Sequence, residues 1–132
     1  MTLTLPQDAE PFGTEWDRPG VYALQYAKPA DIAAAWDSYY EARPRWFDQL
    51  DDAKNILYVG EAGNVMRRLE DHANADKRRT TLSRIGCEPV AIEAIDYHDS
   101  KEAAKHAEYN TAVRLNEQTG ENTLVLCNGE PV

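Results

Sequence analysis

Residues 57–72 read LYVGEAGNVMRRLEDH, and the fold follows from how that stretch divides. Leu57 to Gly60 is an apolar, β-prone run, Ala62 and Gly63 are small turn residues, and Asn64 is an N-cap ahead of a helical pattern. On that helix Val65, Leu69 and Ala73 recur every four residues as an apolar stripe. Arg68 and His72, also four apart, form a polar row beside it. A strand-to-helix corner of this kind brings a phenol (Tyr58), a guanidinium (Arg68) and an imidazole (His72) within reach of one another.

Upstream, Gly20 to Tyr26 is a short β-prone run after Pro19 and forms the first predicted strand. Residues 1–18 are polar, contain proline and lack periodicity, so they read as an arm whose Phe12 and Trp16 pack back on the domain. The segment from about 28 to 54 is a helical insert. Asp31 caps a helix with Ile32, Ala35, Trp36, Tyr39 and Tyr40 on one face, Pro44 breaks it, and a shorter turn carries Trp46, Phe47 and Leu50. An aromatic stripe at this spacing more often packs in a core than faces a partner. Trp36 to Leu50 is also the candidate surface for a dimer or DNA contact.

Downstream, Thr80 to Ile85 is a short helix ending at Gly86, and Pro89 to Tyr97 is a third strand with both faces partly apolar. Asp99 or Ser100 caps a long helix that runs to about Thr119 and stops at Gly120. The expected class is α+β: a small three-stranded, mainly antiparallel sheet flanked by helices, with the insert between its first two strands.

With 132 residues, 42% of them hydrophobic, the chain buries one modest core. A single domain over 19–132, after the arm, is expected. No stretch approaches a membrane span, and the N-terminus has neither a basic start nor an apolar run, so a soluble cytoplasmic protein is expected. Cys87 and Cys127 have no metal-ligand spacing and read as buried free thiols.

The 23 acidic against 14 basic residues set the net charge at -9 and argue against a dedicated nucleic-acid binder. The distribution says more. Arg67, Arg68, Lys77, Arg78, Arg79 and Arg84 outnumber Glu70, Asp71 and Asp76 in the same segment. A basic island therefore begins on the Arg68 helix, where a polyanion would dock. Lysines are few beside the acidic residues, a composition that hints at a halophilic protein working in concentrated salt.

On the last helix Ala104, Ala107, Thr111 and Leu115 fall at helical spacing, and Glu108 lies on that face or its edge. A carboxylate there is partly desolvated unless a cation meets it, and a metal ion or Arg68 could. Alternatively it is a rim residue paired with Lys105.

Gly20-Val21-Tyr22 on one strand, Tyr58-Val59-Gly60 on the next, then Arg68, His72, Glu108 and Asn122 in this order resemble the GIY-YIG nuclease family. The resemblance covers about residues 19–125. It implies a metal-dependent DNA endonuclease that hydrolyses phosphodiester bonds. In that reading one of the phenols of Tyr22 and Tyr58 activates water or hands a proton to a group that does, and Arg68 stabilises the scissile phosphate. His72 assists the proton relay, Glu108 holds a single Mg²⁺ or Mn²⁺, and Asn122 braces the site. Arg67, Lys77, Arg78, Arg79 and Arg84 would bind nucleic acid. The chemistry needs those groups: a nucleophilic oxygen, cationic stabilisation of the transition state, and charge relief at the leaving oxygen. Mg²⁺ suits one carboxylate plus phosphate and water oxygens.

The sequence departs from the family pattern in two places. The tyrosine strands are joined by the long insert rather than a short connection, which is expected to open the hairpin between them, and Glu61 follows the YVG element, where a carboxylate would repel a phosphate. The alternative is a catalytically inactive nucleic-acid-binding or protein-interaction module on the same fold. One active site severs one strand, so a homodimer or two encounters would be needed for a double-strand break.

Overall fold

The three predicted strands are found, and two further strands join them. The computed structural model describes residues 18–73 and 80–132. Strand β1 (Gly20–Ala27) is followed by helices α1 (Ile32–Tyr39) and α2 (Phe47–Asp52), then by strand β2 (Asn55–Ala62) and helix α3 (Val65–Ala73). Helix α4 (Thr81–Arg84), strand β3 (Glu88–Tyr97), helix α5 (Lys101–Gln118), strand β4 (Thr123–Cys127) and strand β5 (Glu130–Pro131) complete the chain. The sheet order is β3-β1-β2-β4-β5. The expected arm, with Phe12 and Trp16, lies outside the described residues except for Arg18, whose guanidinium sits over the Tyr97 ring.

The sheet is therefore five-stranded and mixed rather than three-stranded and mainly antiparallel. Strand β1 pairs antiparallel with both β2 and β3, whereas β4 pairs parallel with β2, from Asn55↔Thr123 to Val59↔Cys127. A parallel neighbour needs a crossover connection, and α5 lies between β3 and β4 in the chain to provide it. Strand β4 is the apolar run Thr-Leu-Val-Leu-Cys, and Asn128-Gly129 then turns it directly into β5. Both turn residues have positive φ, 56° and 79°, as a two-residue type I′ hairpin requires. Strand β5 is only two residues long and contains Pro131, which suits a sheet edge.

The insert does not open the β1–β2 pair. Its antiparallel register runs unbroken from Gly20↔Ala62 to Tyr26↔Ile56. Ile32, Trp36, Phe47 and Leu50 are buried against one face of the sheet, so this part of the aromatic stripe is core, while Tyr39 at its edge is 55% exposed. The Trp36 ring lies 4.8–6.1 Å from the rings of Tyr40, Phe47 and Trp46, and its indole N–H donates to the Ala42 carbonyl at 2.9 Å. Asp31 caps α1 by accepting from the Ala34 N–H. The Lys28 ammonium donates to the Leu50 and Asp51 carbonyls within α2.

Strand periodicity sorts the core. Tyr22, Leu24, Tyr26 and Ile56 face α1 to α4, while Val21, Ala23, Leu57, Val59 and Val125 face α5. Each fully buried aliphatic side chain in these layers contributes roughly 1.5–3 kcal/mol. Cys87 and Cys127 are free and buried. No described helix is long and apolar enough to cross a membrane.

Candidate active site

Asn64 caps α3 as its position predicts: its side-chain oxygen accepts the Arg67 N–H at 3.0 Å, and its carbonyl accepts the Arg68 N–H. Val65 and Leu69 are fully buried under the helix, which fixes its rotation. Arg68 is thereby left exposed and His72 half-buried at the sheet. Strand β2 runs two residues beyond the predicted end, to Ala62.

Across the strands, Tyr22 lies directly opposite Gly60. A Cβ on Gly60 would fall 2.5 Å from the Tyr22 hydroxyl oxygen, so the phenol lies over the glycine where any side chain would stand. That placement carries the hydroxyl to His72, with Tyr22 Oη and His72 Nε2 2.8 Å apart. Tyr58, two residues before Gly60 on the same face, presents its ring edge-on to the imidazole at 5.6 Å. The expected convergence of Tyr22, Tyr58, Arg68 and His72 is thus found at one corner.

Burial dominates the electrostatics of this corner. It pushes both phenols above their ordinary range, Tyr22 most of all. The two tyrosines reinforce one another at Tyr22, and the Glu108 charge adds at both. Arg68 opposes these effects at each phenol without overcoming them. His72 moves the other way: burial, then the Arg68 charge, push it down to about 4. At neutral pH the cluster therefore holds two neutral phenols and a neutral imidazole beside one exposed guanidinium.

Glu108 approaches from the opposite layer. It is a buried α5 residue, 8% exposed, whose Oε1 accepts from the Cys127 thiol at 3.6 Å. The Asn128 side chain and the Glu61 backbone N–H also donate to it. Burial raises its pKa, and the Glu61 carboxylate raises it further. Cys127, pushed up to about 11 by burial and by Glu108, remains a thiol donor.

Glu61 shares the strand face of Leu57 and Val59, so it stands beside Glu108 and not among the groups around Arg68. One of its carboxylate oxygens is buried without a hydrogen-bond partner. Two neighbouring carboxylates with an orphaned buried oxygen suit a divalent cation that takes its remaining ligands from water and phosphate. Among the described residues no group of three or more His, Cys, Asp or Glu side chains forms a self-contained metal cage. The β2–β4 pairing ends at Val59↔Cys127, which leaves Gly60, Glu61 and Ala62 without a β4 neighbour. In that notch the carboxylate pair and the phenol corner lie at the same end of β2.

A family model for the GIY-YIG catalytic domain matches residues 45–122. The chain belongs to the GIY-YIG family. No curated protein and no solved structure matches it. The matched span holds α2, β2, α3, α4, β3 and α5. The GIY-YIG strand carrying Tyr22 lies outside it, and β1 reaches the site through its pairing with β2.

Asn122 is not gathered into the GIY-YIG site. Its carbonyl accepts the Lys54 and Asn55 N–H groups at the start of β2, five positions from Gly60 along the strand. Asn128, at the other end of β4, instead reaches Glu108. The sequence reading missed Asn128, and the Asn-Gly pair after an apolar run is the signal that could have located it. Asn128 also lines a cleft of about 180 Å³ with Tyr58, Trp46 and Thr80. Of the basic island, Arg67 is exposed on α3, and Arg84 is exposed on α4 with its guanidinium against the Tyr40 phenol. Lys77, Arg78 and Arg79 lie outside the described residues.

Proposed function

We propose that this protein is a metal-dependent DNA endonuclease. The observation that carries the reading is the 2.8 Å contact between the Tyr22 hydroxyl and His72 Nε2, made inside the field of Arg68. A bare phenol with a raised pKa is a poor base. A phenol that hands its own proton to a neutral imidazole as it takes one from water need not ionise first. Exposed Arg68 would seat the scissile phosphate and stabilise the charge that develops on it. A phosphate there would also offset the Arg68 charge that depresses His72, making the imidazole more basic once substrate is bound.

Glu108, with Glu61 beside it and Asn128 orienting it, would hold Mg²⁺ or Mn²⁺. That ion would supply charge relief at the phosphate and leaving oxygens. Arg67 and Arg84, with Lys77, Arg78 and Arg79, would extend the phosphate track, and a double-strand break would require a homodimer or two encounters.

The test is cleavage of supercoiled and linear DNA with Mg²⁺ or Mn²⁺, comparing the parent with Arg68→Ala and Glu108→Ala. The parent should cut and both variants should lose at least about 100-fold in rate. Cutting that survives both substitutions refutes the assignment. DNA binding without cutting selects an inactive binding module.

A further inference from the structure

His72 is held from both nitrogens. While Nε2 meets Tyr22 at 2.8 Å, Nδ1 lies 3.3 Å from the hydroxyl of Tyr26, four residues along β1 on the same face. Tyr26 is 2% exposed, and its oxygen also lies within hydrogen-bonding reach of the Thr80 and Ser83 hydroxyls at the start of α4. The ring is clamped as well, with Tyr22 and Tyr58 centroids at 5.4 and 5.6 Å. Tyr26 matches no position in the catalytic reading above.

We infer that Tyr26 is a positioning residue for His72: its oxygen accepts the Nδ1–H, which leaves the Nε2 lone pair facing the Tyr22 hydroxyl. The inference rests on the nuclease reading for its catalytic meaning. A neutral imidazole carries one proton, so one nitrogen donates and the other accepts. Three features select the arrangement. The buried Tyr22 hydroxyl meets no acceptor other than Nε2 among the described residues, so an Nε2–H tautomer would leave the phenolic proton without a partner. The 2.8 Å contact fits an O–H donated into a ring nitrogen, and the 3.3 Å contact fits a weaker N–H donated to oxygen. Finally, the Thr80 hydroxyl donates to Ser83 Oγ at 2.9 Å, so the Thr80 oxygen can accept the Tyr26 proton and leave a Tyr26 lone pair for Nδ1–H.

The consequence is a directed relay. Water loses a proton to Tyr22 Oη as the Tyr22 O–H bond breaks and a new N–H bond forms at His72 Nε2. The resulting hydroxide attacks phosphorus, and the imidazolium retains its Nδ1–H on Tyr26. Tyr26 does for this histidine, with a neutral oxygen, what a buried carboxylate does in a Ser-His-Asp triad.

The tautomer is read directly by nitrogen NMR of ¹⁵N-histidine-labelled full-length protein without DNA or metal, with His72→Gln used to assign the signal. The expected state is Nδ1–H. In Tyr26→Phe, whose phenyl ring fills nearly the same space, the signal should move toward the Nε2–H form. The kcat for DNA cleavage should fall about 10- to 100-fold with KM changed less than about twofold, since tautomer selection acts on the proton transfer and not on DNA binding. An Nε2–H imidazole in a parent protein that cuts DNA overturns the inference and leaves the nuclease standing. So does a Tyr26→Phe protein with unchanged kcat. A parent that cuts nothing overturns the nuclease reading and the relay with it. If Tyr26→Phe does not fold, the parent tautomer decides.

Discussion

Replacing Gly60 by alanine puts a methyl group where the Tyr22 phenol already sits. The new Cβ would lie 2.5 Å from the Tyr22 hydroxyl oxygen and 2.7 Å from its ring carbon Cζ. Ordinary carbon–oxygen and carbon–carbon contacts need about 3.5 Å, so Tyr22 must retreat by about 1 Å. A shift of that size lengthens the 2.8 Å contact with His72 beyond hydrogen-bonding range. Overpacking costs about 1–3 kcal/mol, and a buried hydroxyl left without a partner costs a further ~1–3 kcal/mol. Gly60→Ala should therefore unfold ~2–6 kcal/mol more easily in urea. Its cleavage rate should fall by about 100-fold, the usual effect of moving a catalytic group by 1 Å. Gly120→Ala is the control, because nothing stands within 4 Å of its added carbon, and it should change neither quantity appreciably. A Gly60→Ala protein as stable and active as the parent would falsify the proposed placement of Tyr22.

Other consequences can be checked separately. Glu108 has a raised pKa in the folded protein, so its charge opposes folding increasingly as pH rises through and above the usual carboxylate range. Glu108→Gln should accordingly melt at a higher temperature than the parent at pH 7 in EDTA while losing cleavage, and a lower melting temperature counts against burial of a charged carboxylate. For His72, with its folded pKa pushed from 6.5 to about 4, the unfolded chain binds the extra proton first. Stability is then lost as pH falls from about 6.5 toward 4, by roughly 3 kcal/mol at most. Denaturation midpoints of His72→Gln should show a flatter acid limb. Arg68→Ala should raise the His72 pKa in an NMR titration, because the guanidinium helps depress it. Asn128→Gly, which keeps the positive φ but removes the amide from Glu108, should lower cleavage about tenfold, whereas Asn122→Ala should not, since it is the Asn122 backbone carbonyl that bonds.

Much of the architecture can be read locally. Asn64 and Ser100 accept N–H groups three residues on, as N-caps do, and Gly86 ends the α4 region with φ of 85°. The spacing of Ile32 and Trp36 marks an apolar helix face, but only the fold shows that this face packs in the core together with Phe47. β4 and β5 are different. Their apolar run and Asn-Gly turn carry a hairpin signal, but the parallel partner of β4 lies in β2, more than sixty residues earlier in the chain.

By itself the sequence determined which residue types the chemistry requires and where helices and turns begin, because caps, glycines and apolar periodicity act over a few residues. Tertiary structure decided which side chains meet. The family resemblance points to Asn122 as the brace, and only the parallel β2–β4 register places it at the far end of the strand and brings Asn128 to Glu108. Tyr26 is one more buried strand aromatic until His72, from a different element, turns its second nitrogen toward it. Such meetings arise from the joint burial of distant segments, and no local pattern encodes them.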